Sequence, residues 1–283
     1  MIRSDPELAV VVLAVGAPAE LKTAIESLQR QPVPLEIVVV NSGGGDPHTA
    51  LPNRDGNIKV VSIPNMLWPG AARNVGINAS RAPWIAFMAS DHIAEENWAA
   101  ARLELHYSGH LAVACAVVNS HPRNLYAWAY HLSILVRRLP GVPPGEAILY
   151  GVSYSRSLFD KYGTFREDLR IGEDTEFNNR LTHGDRPIWA PRVQTVHLNP
   201  TSFRSMVRSQ YARGRRFGFH WSPETEESLL VQIHERFKSI RKLSYRSVQG
   251  IDRWFVVSCW PLLLVCVVAY VLGINAGVRQ RIA

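Results

Sequence analysis

The first ninety residues alternate between short apolar runs and helical segments. Mostly apolar runs, many of their residues β-branched, occupy residues 8–14, 35–40, 58–63 and 84–88. Between them, residues 21–30 place apolar side chains at helical spacing, and residues 70–80 suit a further helix. Short apolar runs separated by helices are typical of a parallel sheet that is covered on both faces. The pattern therefore predicts an α/β fold with a mostly parallel central sheet and helices on both faces.

Polar clusters follow two of the predicted strands. Residues 41–46 (NSGGGD) come after the second apolar run, and residues 89–92 (ASDH) come after the fourth. Ligands of parallel α/β sheets bind beyond the carboxyl ends of the strands, so both clusters fall on the edge where a ligand is expected. Further along, residues 97–118 predict one more helix followed by a strand.

An acidic pair, Glu173 and Asp174, lies just before the apolar residues Phe177 and Leu181. This spacing indicates a helix that begins near the pair, with both acids in its first turn. The helix dipole and the free N–H groups of a first turn keep a carboxylate ionised, which suits a general base. Acids also favour first turns for structural reasons alone, so the pair by itself does not define a site.

Residues 254–278 contain no charged side chain. About 20 such residues in a helix cross a hydrocarbon core of roughly 30 Å, so this segment predicts a transmembrane helix; the alternative is a buried core helix. Basic residues cluster before it, and only Arg279 and Arg281 follow. The positive-inside rule then predicts a single-pass protein of the cell membrane with everything before residue 253 in the cytoplasm.

The segment before this helix is basic and amphipathic. Apolar residues at helical spacing (Leu230, Ile233, Phe237 and Ile240) are flanked by bases, which predicts a juxtamembrane helix on the anionic inner leaflet; an ordinary packing helix fits equally well. The expected organisation is a catalytic domain over residues 1–221, the basic helix over 222–253 and the transmembrane helix over 254–278.

The net charge of +7 and the isoelectric point near 9.5 are compatible with nucleic acid, an anionic membrane or a phosphorylated substrate. The basic residues beside the apolar segment favour the membrane, and no nucleic-acid partner is expected. The three cysteines, Cys115, Cys259 and Cys266, have no metal-ligand spacing. They support neither a disulfide scaffold nor a zinc site, and they favour a reducing compartment.

Taken together, these motifs resemble the family 2 glycosyltransferases of the nucleotide-sugar-binding α/β type known as GT-A. The resemblance covers roughly residues 8–216 and rests on the order and spacing of its elements. The elements include GAARNVG at residues 70–76, Gly172-Glu173-Asp174, His197, and QYARG at residues 210–214.

The resemblance implies transfer of a sugar from a nucleotide-diphosphate donor to a hydroxyl acceptor. Asp174 would be the general base of an inverting single displacement, with Glu173 orienting or contacting the acceptor. The implied donor contacts are Asn41, Ser42, Arg73, Ser90, Asp91, Arg213 and Arg215. Asp91 and His197 would hold a divalent cation, Mg²⁺ or Mn²⁺. A membrane anchor favours a lipid-linked acceptor, and a glycan is the other class of acceptor.

The chain departs from the family pattern on the donor side. The usual acid two positions before Asp91 is Ala89, the residue after Asp91 is His92, and acids expected after the second strand are replaced by Asn41-Ser42. Because acids are replaced there, the negative field at the donor site is weaker, which predicts weaker cation binding. The alternative to an active transferase is a catalytically silent nucleotide-sugar-binding scaffold at the membrane, which the retained acids disfavour. Nucleotidyltransferases typically have a glycine-rich loop with a basic residue after the first strand. Residues 15–19, which follow the first predicted strand, contain no basic residue, so this class is disfavoured.

Overall fold

The computed structural model describes residues 5–51, 58–220, 229–248, 250 and 252–282. Within these residues, eight strands form one sheet: β1 (Leu8–Val15), β2 (Leu35–Ser42), β3 (Ile58–Ile63), β4 (Trp84–Ala89), β5 (His92–Ala94), β6 (Ala112–Asn119), β7 (Ser153–Ser155) and β8 (Ile188–His197). The helices are α1 (Glu20–Gln29), α2 (Pro69–Ala79), α3 (Trp98–Tyr107), α4 (Leu125–Leu135), α5 (Arg156–Tyr162), α6 (Glu173–Arg180), α7 (Phe203–His220), α8 (Leu229–Ser247), α9 (Asp252–Ser258) and α10 (Trp260–Ile282).

The strand order is β3-β2-β1-β4-β7-β6-β8-β5. Strands β3, β2, β1 and β4 are parallel, with Leu8 opposite Leu35 on one side and Trp84 on the other. Strand β7 is antiparallel to both β4 and β6. The four strands predicted in the first ninety residues are confirmed, and so is the mostly parallel sheet. The short strands β5 and β7 and the longer β8 were not predicted.

Alternate residues of the strands enter two apolar cores, one on each face of the sheet. Val10 and Val12 of β1 belong to the core that includes α1 and α3. Ala9 and Val11 belong to the other core, which includes α2, α5 and α6. This alternation follows from the two-residue repeat of a strand, and burying each large apolar side chain contributes about 1.5–3 kcal/mol. Helices therefore cover both faces, as the apolar runs predict.

The chain divides into two compact units. The first unit contains Met1–Ala116 and Ile148–Val196, and the second contains Val117–Ala147 and His197–Ala283. Within the second unit, α4 and α7 share an apolar core with α8, α9 and α10. The catalytic domain expected over residues 1–221 stays a prediction.

The segment predicted as one helix over residues 254–278 is two helices. Helix α9 ends at Ser258, and α10 begins at Trp260 with Pro261 in its first turn. Proline has no N–H to donate and a φ that suits a helix start, so it favours a new helix at this point. Within the described residues, α10 is the one helix long and apolar enough to cross a membrane by length and composition, which makes it a candidate transmembrane helix. The predicted basic helix over 222–253 corresponds to α8, and the start predicted at residues 222–228 lies outside the described residues.

Candidate functional site

At the carboxyl end of β2, Asn41 joins two loops. Its side chain is buried, and its Oδ1 accepts a hydrogen bond from the Ala17 N–H at 2.9 Å. Its Nδ2 donates to the carbonyl oxygen of Gly44 at 2.8 Å. An aspartate could accept the first bond but could not donate the second. The amide that replaces a family acid therefore holds the loop after β1 to the loop after β2, and the adjacent Ser42 is also buried.

The turn after β4 presents Asp91. The Ser90 N–H donates to the carbonyl oxygen of Leu13 at 3.0 Å, which fixes the turn beside β1. The side chain of Asp91 is 49% exposed, and its Oδ1 lies 2.7 Å from Nδ1 of the buried His92. His92 Nε2 lies 3.4 Å from the hydroxyl of Tyr150. His92 thus orients a half-exposed carboxylate at the edge of the sheet where ligands are expected.

Arg73 of α2 pairs with Glu173 of α6. The two side chains are only 11% and 7% exposed. The guanidinium of Arg73 also lies over the rings of Phe87 and Phe165, at 5.6 and 5.2 Å from their centroids. Burial lowers the pKa of Arg73, but the carboxylates of Glu173 and Asp174 outweigh burial, and the net pKa is raised. Arg73 is therefore a buried cation that faces the acidic pair.

The rest of the 70–76 motif holds the segment that leads to α6. The side-chain amide of Asn74 donates to the carbonyl oxygen of Phe165 at 2.9 Å and accepts from the Phe165 N–H at 3.0 Å. Gly70 lies so close to this segment that a Cβ there would be 2.1 Å from the carbonyl oxygen of Arg166. In this structure α2 therefore positions the acidic pair, and the donor contact of Arg73 stays a prediction.

Asp174 is the second residue of α6, as the acidic pair predicts. Gly172 is the N-cap of the helix, its φ of +82° favours glycine, and the Glu176 N–H donates to its carbonyl oxygen at 2.8 Å. Asp174 is partly exposed and lines, with Arg73 and Tyr154, a cavity of about 10 Å³. This cavity has the volume of about one water molecule.

Phe87, Tyr154 and Phe165 line this cavity and belong to a set of aromatic side chains that the sequence did not predict. Five rings contact one another, with the Phe159–Phe177 pair stacked and the other pairs edge-on or tilted: Phe87, Tyr154, Phe159, Phe165 and Phe177. The hydroxyl of Tyr154 donates to Asn178 Oδ1 at 2.8 Å, and burial raises its pKa, so it stays protonated. These residues come from four elements and from the loop between α5 and α6, and β7 is too short to give a pattern. The sequence signal for part of this aromatic set is the spacing of the apolar residues within 159–181.

The remaining predicted residues lie in the second unit. His197 is the last residue of β8, and its Nδ1 lies 2.8 Å from Asn199 Oδ1. Because Asn199 Nδ2 donates to Asn119 Oδ1, the oxygen of Asn199 faces His197 and Nδ1 carries the proton. The lone pair is then on Nε2, the arrangement in which a histidine can bind a metal. On α7, Arg213 is partly exposed and Arg215 is exposed. The metal role of His197 and the diphosphate contacts of both arginines stay predictions.

Comparison with known structures identifies the fold. The chain is similar to PcManGT, a mannosyltransferase from Pyrobaculum calidifontis solved in complex with GDP-Man and Mn²⁺. The TM-score is 0.58 at 15% identity, and the match covers 99% of this chain and 88% of that one. This likeness establishes a GT-A-type α/β fold.

Comparison with known sequences identifies the family. The family described as "Glycosyl transferase family 2" matches residues 9–171, and the chain belongs to this family. A curated relative is the Succinoglycan biosynthesis protein ExoO of Rhizobium meliloti (strain 1021), 36% identical over 89 residues. That match covers 30% of this chain and only 26% of the relative. The predicted family and fold class are therefore confirmed.

Proposed function

We propose that this chain transfers a sugar from a nucleotide-diphosphate donor to a hydroxyl acceptor, with inversion, by a single displacement. The observation that carries the proposal is the position of Asp174 in the first turn of α6, beside the buried cation Arg73. The positive end of the helix dipole and the guanidinium of Arg73 both lie beside this carboxylate, and a carboxylate can accept a proton as a general base.

In this mechanism Asp174 takes the proton of the acceptor hydroxyl while the hydroxyl oxygen forms a bond to the anomeric carbon. The bond from that carbon to the diphosphate oxygen breaks, and attack from the opposite face inverts the configuration. Glu173 is held by Arg73, so it orients the first turn of α6 and thereby positions Asp174. A geometry held in advance removes part of the entropic barrier to the reaction.

On the donor side we assign the cation contact to Asp91. Its half-exposed carboxylate, oriented by His92, fits Mg²⁺ or Mn²⁺, because both prefer oxygen ligands and the donor diphosphate offers more of them. A divalent cation bound there would neutralise charge on the leaving diphosphate. His197 stays a predicted further ligand. The proposed donor contacts are Asn41, Ser42, Arg73, Ser90, Arg213 and Arg215.

We further propose that the reaction takes place at the cytoplasmic face of the cell membrane. The support is the apolar helix α10, which would keep the chain near a lipid-linked hydroxyl acceptor. A soluble glycan is the competing acceptor class. Comparing turnover with a membrane lipid extract and with a soluble glycan extract distinguishes the two classes.

The test of the function compares Asp174→Asn with Asp160→Asn, a matched change at an exposed acid of α5. Release of nucleoside diphosphate is measured with UDP- and GDP-sugars, with and without Mg²⁺ or Mn²⁺. We expect Asp174→Asn to lose about 10²- to 10⁴-fold in turnover while donor binding by calorimetry is kept, and Asp160→Asn to match the wild type.

Two results contradict this proposal. Full turnover in Asp174→Asn removes the base assignment. Donor binding by the wild type without turnover on any acceptor extract supports the alternative, a catalytically silent nucleotide-sugar-binding scaffold.

A further inference from the structure

Helices α7 and α10 are in direct backbone contact. Each helix carries two glycines four residues apart, Gly214 and Gly218 on α7 and Gly273 and Gly277 on α10. A Cβ at Gly214 would be 2.0 Å from the carbonyl oxygen of Tyr270, and one at Gly218 would be 2.2 Å from that of Ile274. The later glycine of α7 contacts the later residue of α10, so α7 and α10 run parallel and side by side. Close packing through small residues four apart is typical of helices in membranes.

This packing limits how α10 can enter a bilayer. Because the two backbones touch over two turns, α7 must enter to the same depth as α10. Helix α7 carries several exposed arginines, namely Arg204, Arg208, Arg215 and Arg216. An arginine near the bilayer centre is costly, whereas an arginine at the level of the head groups is not. A pair that crossed the bilayer would bring these arginines into the hydrocarbon.

The exposed side of α10 is an apolar stripe. Leu264, Val268 and Leu272, each four residues from the next, are 60%, 50% and 57% exposed. Their spacing places them on one face of the helix, along its length. Such a stripe suits contact with acyl chains without requiring that the helix cross the membrane.

A groove lies between this stripe and α7. Its volume is about 610 Å³, and it is lined by Phe203, Arg204, Val207, Arg208, Tyr211, Val265, Val268, Ala269 and Leu272. Apart from Tyr211 and the two arginines, the lining is apolar, and both arginines are exposed. An apolar groove beside two cations complements a lipid that has an anionic head group and apolar chains.

We propose that α7 and α10 form a helix pair that lies in one leaflet of an anionic membrane and does not cross it. The α10 stripe and the groove contact acyl chains, and Arg204 and Arg208 contact lipid phosphates. The partner is an anionic phospholipid surface. The proposal is independent of the sugar-transfer reaction, because lipid binding and topology are measured without turnover.

The first experiment measures topology. Gln280→Cys, at the exposed end of α10, and Asp160→Cys, on α5, are each expressed as the full chain. Inside-out vesicles from the expressing cells are treated with a membrane-impermeant maleimide, and the wild type, whose cysteines are buried, gives the background. We expect both variants to be labelled in intact vesicles. Labelling of Gln280→Cys only after permeabilisation, with Asp160→Cys labelled before it, would mean that α10 crosses the membrane and would overturn the proposal.

The second experiment measures the lipid preference. Binding of the purified full chain to phosphatidylcholine vesicles is compared with and without phosphatidylglycerol. The double variant Arg204→Gln/Arg208→Gln is compared with Arg81→Gln/Arg192→Gln, which removes the same charge from exposed positions of the first unit. We expect the first pair to weaken binding to the anionic vesicles by about tenfold or more and the control to have little effect. Equal losses in both, or no loss, would contradict the assigned phosphate contacts.

Discussion

Arg73 of α2 and Glu173 of α6 form an ion pair that is almost fully buried, with side chains 11% and 7% exposed. The pair joins a helix on one face of the parallel sheet to the first turn that carries Asp174. A buried pair contributes little net stability compared with apolar side chains, but the loss of one partner leaves a buried charge without compensation. The pair therefore makes the position of the acidic turn depend on both residues together.

Single and double substitutions of this pair test that dependence. We expect Arg73→Met and Glu173→Gln each to lower the free energy of unfolding by about 3–5 kcal/mol, and the double variant to lose less than the sum. Unfolding is followed by urea titration of the detergent-solubilised chain. The control is Arg192→Gln, which breaks an exposed pair with Glu104 and should cost less than about 1 kcal/mol. Strict additivity of the two buried changes would show that the residues do not interact.

The donor side gives a gain-of-function prediction. Ala89 ends β4 two residues before Asp91 and stands where the family has an acid. We expect Ala89→Asp to raise the affinity of the donor complex for Mn²⁺, on the order of tenfold, because cation affinity increases with the number of charged oxygen ligands. Calorimetric donor titrations over a range of Mn²⁺ concentrations measure this affinity. Ala89→Asn has nearly the same size without the charge, and an equal gain in that variant would contradict an electrostatic cause.

Strands and helix starts that depend on a few neighbouring residues could be predicted from the sequence. The apolar runs of β1 to β4 and the acidic start of α6 are patterns within a few residues, and the structure confirms them. Arg73 and Glu173 are far apart in the sequence, and no local pattern around either residue predicts that the two side chains pair. The glycines of α7 and α10 show their four-residue spacing in the sequence, but the spacing does not identify the partner helix. Strands of three residues, such as β7, are too short to show a period.

His106 gives the fold a specific dependence on pH. Its ring stacks on Trp84 with centroids 3.9 Å apart, and its nitrogens lie 2.7 Å from the His110 carbonyl oxygen and 2.8 Å from Ser153 Oγ. Burial, with a smaller contribution from the charge of Arg102, lowers the pKa of His106 from 6.5 to about 4. The folded chain thus keeps this ring neutral over a range in which the unfolded chain binds a proton.

The sign of the effect follows from proton linkage. Above pH 6.5 His106 is neutral in both the folded and the unfolded state, so it does not change the free energy of unfolding with pH. Between pH 6.5 and about 4 the unfolded state binds the extra proton, so stability falls with falling pH by up to about 1.4 kcal/mol per unit. Urea unfolding of the wild type and His106→Gln at pH 7.5 and about pH 5 measures the difference, and His48→Gln, at an exposed site, should retain the wild-type slope. Equal slopes for the wild type and His106→Gln would contradict the assignment.

The contact of α7 with α10 predicts that Gly214→Ala destabilises the protein, whereas intrinsic helix propensity predicts that it stabilises the protein. Replacing a helical glycine by alanine normally stabilises a helix by about 1 kcal/mol. At Gly214 the new Cβ would lie 2.0 Å from the carbonyl oxygen of Tyr270, so the helices must separate. Overpacking of this kind costs about 1–3 kcal/mol, and we expect the Tm of Gly214→Ala to fall by several degrees. At Gly145, also in the second unit, a Cβ meets no atom within 4 Å, so Gly145→Ala is the matched control and should leave Tm nearly unchanged. A rise in the Tm of Gly214→Ala would mean that propensity alone acts there and that the backbones of α7 and α10 are not in contact.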